Sequence, residues 1–271
     1  MSAGARTVFI TGASRGIGRA IALRCAQAGH RVVVTGKTDA PHPKLSGTIH
    51  SVAAEVRAAG GEALAVQLDV RDEHAVSAAV ARAADHFGGI DVLVNNASAI
   101  SLTATPATPL RRWDLMQQVN VRGSFACAQA CLPWLERSPN PHILTLSPPL
   151  NLKPRWFRDH VAYSISKYGM SLCTLGFAAE FADRGIAANS LWPRTTIATA
   201  AVEVYFPQAV SASRTPQIVA DAAWWILSQP ARDCTGNFFV DEEVLRAAGV
   251  RDFSGYAVTP GAPLAADLFL D

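Results

Sequence analysis

Apolar runs of strand length alternate with longer stretches of helical spacing from the first residues almost to the last. The strand-like runs fall at 7–11, 31–35, 63–68, 91–94, 142–146, 186–191 and 237–240. Helical spacing occupies 16–28, 51–59, 73–87, 110–135, 161–183 and 215–228. Runs such as RVVVT (31–35) and DVLV (91–94) are nearly all apolar rather than alternating, as strands covered on both faces must be. Strict β–α alternation of such strands implies a parallel sheet with helices on both faces. The expectation is therefore an α/β fold: a single-domain, Rossmann-type doubly wound parallel sheet of about seven strands, spanning 1–271. Hydrophobic residues make up 49% of the chain, enough to fill such a core. Two irregular stretches interrupt the pattern, a Pro-containing one at 38–47 and another at about 194–214. Both leave the carboxyl ends of strands, where open α/β sheets bind ligands.

The first strand runs into TGASRGIG (11–18), which then opens the first helix. A strand–glycine turn–helix junction is the context in which G-x-x-x-G-x-G carries chemistry. Gly12 permits the tight turn, Gly16 lets backbone approach a pyrophosphate, and Gly18 lets helix and sheet pack closely. Ser14, Arg15 and Ile17 fill the turn, and the helix N-terminus presents free N–H groups to phosphate. GASRG also matches a G-x-S-x-G nucleophile elbow, but only one strand precedes it and nothing upstream could form an oxyanion hole. Gly36-Lys37-Thr38 is not a phosphate-binding P-loop, because the glycine required five residues earlier is Arg31.

The end of the second strand separates the two dinucleotides. An NAD site places a carboxylate there for the ribose 2′-OH. This strand ends Val34-Thr35-Gly36-Lys37. Lys37 and Arg15 can together hold a 2′-phosphate, so NADP(H) is expected in preference to NAD(H). Solvated surface cations would give the same letters. Asp69, after the third strand, can accept from the adenine amine, with Val70 beside it.

Tyr163-Ser164-Ile165-Ser166-Lys167 places a phenol and an ammonium one helical turn apart on one face. A free tyrosine is a poor acid–base group at neutral pH. A neighbouring ammonium and an oxidised nicotinamide favour its anion. Tyr163 could then take a proton from an alcohol or give one to a carbonyl.

Thr11–Gly18, Asp69, Asn95-Asn96-Ala97, Asn120, Tyr163, Lys167 and Pro193, in this order over nearly the whole chain, resemble the short-chain dehydrogenase/reductase family. The resemblance implies a catalytic tetrad of Asn120, a serine, Tyr163 and Lys167. In it Asn120 holds a proton-relaying water and Lys167 also binds the nicotinamide ribose. Dinucleotide contacts are implied at Asn96, Ala97, Ser98, Pro193, Thr195 and Thr199. A homodimer or homotetramer acting on a small carbonyl or alcohol is implied as well. The segments KTDAPHPKLSGTI (37–49), NNASAISLT (95–103), SPPLNL (147–152), LWPRT (191–195) and TGNFFVDEEVL (235–245) resemble one branch of that family. Mammalian members of that branch carry a sterol-carrier domain after this region; the expectation is that this chain lacks it.

Several positions depart from the family pattern. Its NNAG is NNAS here, with Ser98. The second serine of the usual Ser-Ser pair is Pro148, which leaves Ser147, sixteen residues before Tyr163, as the catalytic candidate or as a strand-end hydrogen bonder. Pro193 is followed by Arg194 where the family has glycine. Arg194 is expected to face the substrate and to favour an anionic one, such as an acyl-CoA. Trp156, Phe157, Trp192, Tyr205 and Phe206 can line an apolar pocket for a lipid-like substrate or be ordinary core. The Pro148 departure keeps open a second reading, a dinucleotide-binding sensor or scaffold without turnover.

Other classes find little support. The formal net charge is +2 with no basic run, so no nucleic-acid partner is expected. No apolar stretch approaches the ~20 residues of a membrane span. MSAGARTVFI lacks the form of a signal peptide and DLFLD is not a peroxisomal address, so a cytoplasmic location is expected. The five cysteines form no C-x-x-C pair and the seven histidines no H-E-x-x-H, so no metal is expected.

Overall fold

The computed structural model describes residues 4–41 and 46–271. Seven strands form one sheet: β1 Thr7–Ile10, β2 Arg31–Gly36, β3 Glu62–Gln67, β4 Val92–Asn95, β5 His142–Thr145, β6 Ala187–Trp192 and β7 Phe238–Val240. Their order is β3-β2-β1-β4-β5-β6-β7, with every neighbour parallel. The chain winds outward from β1 through β2 to β3, then returns to lay β4 on the other side of β1. The carboxyl ends of β1 and β4 therefore flank the switch point where doubly wound sheets bind ligands.

Each strand splits its side chains between two apolar layers, because successive residues point to opposite faces. Val8 and Ile10 of β1, with Val32 and Val34 of β2, meet α1 (Gly16–Gln27), α2 (Ile49–Ala58) and α8 (Gln217–Ser228). Phe9 and Val33 meet α3 (Glu73–Phe87), α5 (Gly123–Leu135) and α6 (Val161–Glu180) on the opposite face. The β1 and β2 side chains named here are at most 1% exposed. The expected α/β architecture is the observed one.

Three departures from the sequence pattern bear on the site. The stretch 110–135 is not one helix: α4 (Leu110–Met116) and α5 are joined by a π-helical segment, Gln117–Arg122, that contains Asn120. The region at 194–214 is not wholly irregular, since it holds α7 (Ala200–Tyr205) and a 3-10 turn at Pro207–Ala209. After β7 the chain adds α9 (Asp241–Ala247) and then a C-terminal segment that returns to β6. There Thr195 pairs with Ala266 in an antiparallel bridge and Trp192 Nε1 donates to Leu268 O at 2.8 Å.

Candidate active site

At the end of β1, Thr11 Oγ1 accepts from the backbone N–H groups of Asn96 and Ala97, both at 3.0 Å. Asn96 Nδ2 donates back to Thr11 O and Gly12 O at 2.9 and 3.0 Å. The glycine turn is thus clamped to the end of β4. Gly12 (φ +65°) and Gly16 (φ +56°) are left-handed, a conformation side chains resist. At Gly18 a Cβ would lie 2.5 Å from Asn96 Nδ2 and 2.7 Å from Gly12 O, so no side chain fits. Helix α1 begins here with no side-chain cap and no acidic residue in its first turn. Its first N–H groups and positive dipole end are left for an anion, which fits the pyrophosphate of a dinucleotide.

A cleft of about 830 Å³ opens over this turn, lined by Ser14, Arg15, Gly16, Ile17, Ser98 and Thr199 among others. Thr199 Cγ2 would touch a Cβ on Gly16 at 3.4 Å, which places this threonine across from the turn. Arg15 reaches over the loop after β2, donating to Thr38 Oγ1, Ser46 O and Gly47 O. Lys37 Nζ lies 3.2 Å from Asp69 Oδ2, and the same carboxylate takes the Arg71 guanidinium at 2.6 Å. Those two cations hold the Asp69 carboxyl well below the ordinary carboxylate range, the Arg71 hydrogen bond being the larger cause. Val70 is buried against Gly123 of α5. Positions 42–45 of the loop lie outside the described residues.

A second cavity of about 200 Å³ shares Ile17, Asn96, Ser98, Thr199 and Ala201 with the cleft. Tyr163 and Lys167 stand in its wall, with Leu146, Trp192, Pro193 and Asp267. The helical spacing of α6 puts both side chains on one face, and both are buried. Lys167 Nζ donates to Leu146 O at 2.6 Å and lies 5.0 Å from the centre of the Trp192 ring. Burial pushes the Lys167 ammonium down to about 7. Burial also raises the Tyr163 hydroxyl far above its ordinary value, with Asp267 adding to the rise. In the protein alone, then, desolvation dominates and Tyr163 is a neutral phenol.

Asn120 and Ser147 are not delivered to the cavity wall. The Asn120 side chain is spent on protein: Oδ1 accepts from Ala99 N at 2.7 Å, and Nδ2 donates to Ala99 O and Ser166 Oγ at 3.0 and 2.9 Å. It ties the π-helical turn to the loop after β4 and to α6 beside Lys167. Of the two roles the sequence leaves open for Ser147, the structure shows the strand-end hydrogen bond. Ser147 is fully buried, and its Oγ pairs with Ser190 Oγ at 2.8 Å across β6. Pro148 takes the next position, and the hydroxyl is held in the sheet. Thr195 is buried and lines neither cavity, and among the described residues its Oγ1 has no partner.

Arg194 departs from the sequence expectation: its guanidinium pairs with Glu243 of α9 and is absent from the cavity wall. Of the aromatic candidates, Trp192 and Phe206 line the cavity, whereas Trp156 and Phe157 pack behind Tyr163 and Tyr205 donates its hydroxyl to Ile100 O at 2.8 Å. Among the described residues no cluster of three His, Cys, Asp or Glu could hold a metal. Sequence reasoning missed Asp267, Leu268 and Phe269. They follow a glycine- and proline-containing stretch with no periodic pattern, and only the return of the C-terminal segment to β6 brings them to the site.

The family model for short chain dehydrogenases matches residues 6–208. This chain is a short-chain dehydrogenase. The dehydrogenase is 56% identical to hydroxysteroid dehydrogenase-like protein 2 of Rattus norvegicus over 267 residues, 98% of this chain and 50% of the relative. It is 54% identical to the protein of the same name from Homo sapiens over 266 residues, 98% of this chain and 63% of that one. The branch marked by the five sequence segments is this one, and the chain spans only part of the length of these relatives. Among solved structures it is similar to a putative dehydrogenase from Xanthomonas campestris, with TM-score 0.96, 57% identity and 98% of each chain covered. It is also similar to a short chain dehydrogenase from Mycobacterium thermoresistibile, with TM-score 0.93 and 50% identity over 98% of this chain and 95% of that one.

Proposed function

We propose that this dehydrogenase is an NADP(H)-dependent oxidoreductase that interconverts a carbonyl and an alcohol, with Tyr163 as acid and base. The observation that carries the reading is the position of Tyr163 and Lys167 in a cavity continuous with the glycine-turn cleft. Gly12, Gly16, Gly18 and the α1 N-terminus would hold the pyrophosphate, Thr199 would close over it, and Asn96, Ala97, Ser98 and Pro193 would line the path to the nicotinamide. When bound, the dinucleotide supplies or takes up the hydride. Tyr163, neutral and desolvated, donates its proton to the carbonyl oxygen in reduction. Lys167, its ammonium near neutral pKa, replaces the proton and restrains the nicotinamide ribose.

Preference for the 2′-phosphorylated cofactor rests on Lys37, Arg15 and the lack of a carboxylate at the end of β2. Lys37 is largely exposed and can leave Asp69, which keeps Arg71 as its partner. A hydrogen bond to a charged group contributes about 1.5–3 kcal/mol, so Lys37→Ala is expected to weaken NADPH binding by about tenfold or more. NADH binding should be unchanged. Tryptophan fluorescence quenching during titration of each dinucleotide measures both. Equal or tighter NADH binding by the wild type would refute the preference.

The withdrawal of Ser147 favours a second reading, a dinucleotide-binding sensor or scaffold without turnover. A panel of ketones, aldehydes and acyl thioesters assayed with NADPH separates the two. A homodimer or homotetramer belongs to the same proposal, supported by Phe125 on α5 and Ile165, Leu172 and Leu175 on α6, all exposed apolar side chains. Sedimentation equilibrium is expected to give two or four chains. A cytoplasmic setting fits five unpaired cysteines. Among the described residues no helix is long and apolar enough to cross a membrane.

A further inference from the structure

Ser147 is withdrawn from the short-chain dehydrogenase cavity, and a substrate oxygen there would need a second group beside Tyr163 to hold it. Most other polar side chains in its wall are engaged. Asn96 is tied to Thr11 and Gly12, and Thr196 Oγ1 to Ser213 Oγ at 2.8 Å. Ser98 and Thr199 belong equally to the cleft over the glycine turn. Asp267 remains. The C-terminal segment fixes it closely: Asp267 N donates to Arg194 O at 3.2 Å, Thr196 N donates to Ala265 O at 2.9 Å, and Trp192 holds Leu268 O. Asp267 Oδ1 accepts from Leu268 N at 2.7 Å, and Oδ2 has no hydrogen-bond partner among the described residues.

We propose that Asp267 is the second catalytic hydrogen-bonding group, holding the substrate oxygen together with Tyr163, and that it selects neutral, apolar ketones and aldehydes. The assignment rests on the oxidoreductase reading above. As a protonated acid Asp267 donates to a carbonyl oxygen; as a carboxylate it accepts from an alcohol. A carboxyl kept neutral in an apolar site so that it can donate is known chemistry. Burial raises this one to about 7. Asp241, at the start of α9, adds to the rise, while Lys167 from α6 opposes it. Tyr163, the other titratable group facing it, is neutral across the same range. The selection follows from charge and lining. Lys167 and Asp267 are the cavity's charged residues, with Ile100, Leu146, Ile197, Val202 and Leu268 around them. Above about pH 7, where Asp267 is ionised and Lys167 has lost its proton, a substrate carboxylate would meet an uncompensated negative charge.

The test compares wild type with Asp267→Asn and Asp267→Ala in NADPH-linked reduction of decanal, benzaldehyde and carboxybenzaldehyde from pH 5.5 to 9. NADPH affinity and melting temperature are measured for each variant. Wild-type kcat/KM should fall as pH rises through about 7, where the acid forms of both Asp267 and Lys167 are lost. Asp267→Asn keeps a neutral donor, so it should hold activity within about tenfold at low pH, and its falling limb, left to Lys167 alone, should move to lower pH because the Asp267 charge that supports the ammonium is gone. Asp267→Ala should lose about 10²-fold or more in kcat with NADPH binding intact, the usual cost of removing one such donor. Carboxybenzaldehyde should be reduced far more slowly than benzaldehyde by wild type, and the gap should narrow in Asp267→Asn. An infrared carbonyl band of a protonated carboxyl, present at pH 6 and missing in Asp267→Asn, reads the same group without turnover. Variants that match wild type in rate and pH profile overturn the assignment while leaving the oxidoreductase reading intact. A wild type that binds NADPH and reduces none of the probes overturns both.

Discussion

Tyr163→Phe is expected to lower NADPH-linked carbonyl reduction by about 10²–10⁴-fold, the usual contribution of a positioned acid–base group. In barrier terms that is about 3–5 kcal/mol. The substitution removes one oxygen and little else. The phenyl ring keeps its place among the rings of Phe269 and His160, at 6.1 and 6.3 Å between centroids. Among the described residues the Tyr163 hydroxyl has no protein hydrogen-bond partner, so its loss orphans none, and burial of the phenol is relieved rather than imposed. Melting temperature and NADPH affinity should therefore stay close to wild type while single-turnover oxidation of NADPH slows. The pattern has a sign that separates the two readings of this chain. A sensor or scaffold would show the same slow background in wild type and variant, with binding equal in both.

Much of that site was legible before any coordinates because its residues sit at fixed offsets within single elements. The glycine turn is fixed by one strand–helix junction, and the Tyr163–Lys167 pair by one turn of α6. The parallel, doubly wound sheet followed from the same locality, since strands joined by helices leave few topologies. Asn120 marks where this ends. Its place on a helix was readable, but the π-helical turn that aims its amide at Ala99 and Ser166 comes from packing against α6 and the loop after β4. Ser147 stayed between two roles for a related reason. Its distance from Tyr163 suited a catalytic role only if the intervening chain bulged toward the substrate, whereas the hydroxyl is satisfied by Ser190 on the neighbouring strand. Arg194 was misjudged because its partner, Glu243, lies beyond β7 in a helix whose pattern was too short to read. Asp267 was invisible altogether: its role depends on a contact between the C-terminal segment and β6, which no local spacing encodes.

That contact supports the largest expected effect on stability. Phe269 is fully buried and holds φ at +71°, a left-handed conformation that a bulky side chain adopts only when its surroundings compel it. The compulsion is aromatic. Tyr168, Trp192, Trp156, His160 and Tyr163 surround its ring at 5.2 to 6.1 Å between centroids. Beyond it, Asp271 pairs with Lys153 and Arg155 and keeps the segment against the loop after β5. Phe269→Ala empties the centre of this cluster and is expected to cost about 3–5 kcal/mol. For a chain of this length that is a fall in melting temperature on the order of 10 °C. The same substitution should loosen 264–271 in hydrogen exchange and release Asp267 from the cavity. Reductase activity should then fall even at temperatures where the variant is folded. Phe269→Leu keeps most of the apolar volume and should recover the larger part of both losses. An alanine variant that melts with wild type and protects 264–271 equally well would mean that the bridges to Thr195 and Trp192 hold the segment without the ring, and that the strain at residue 269 is compensated elsewhere.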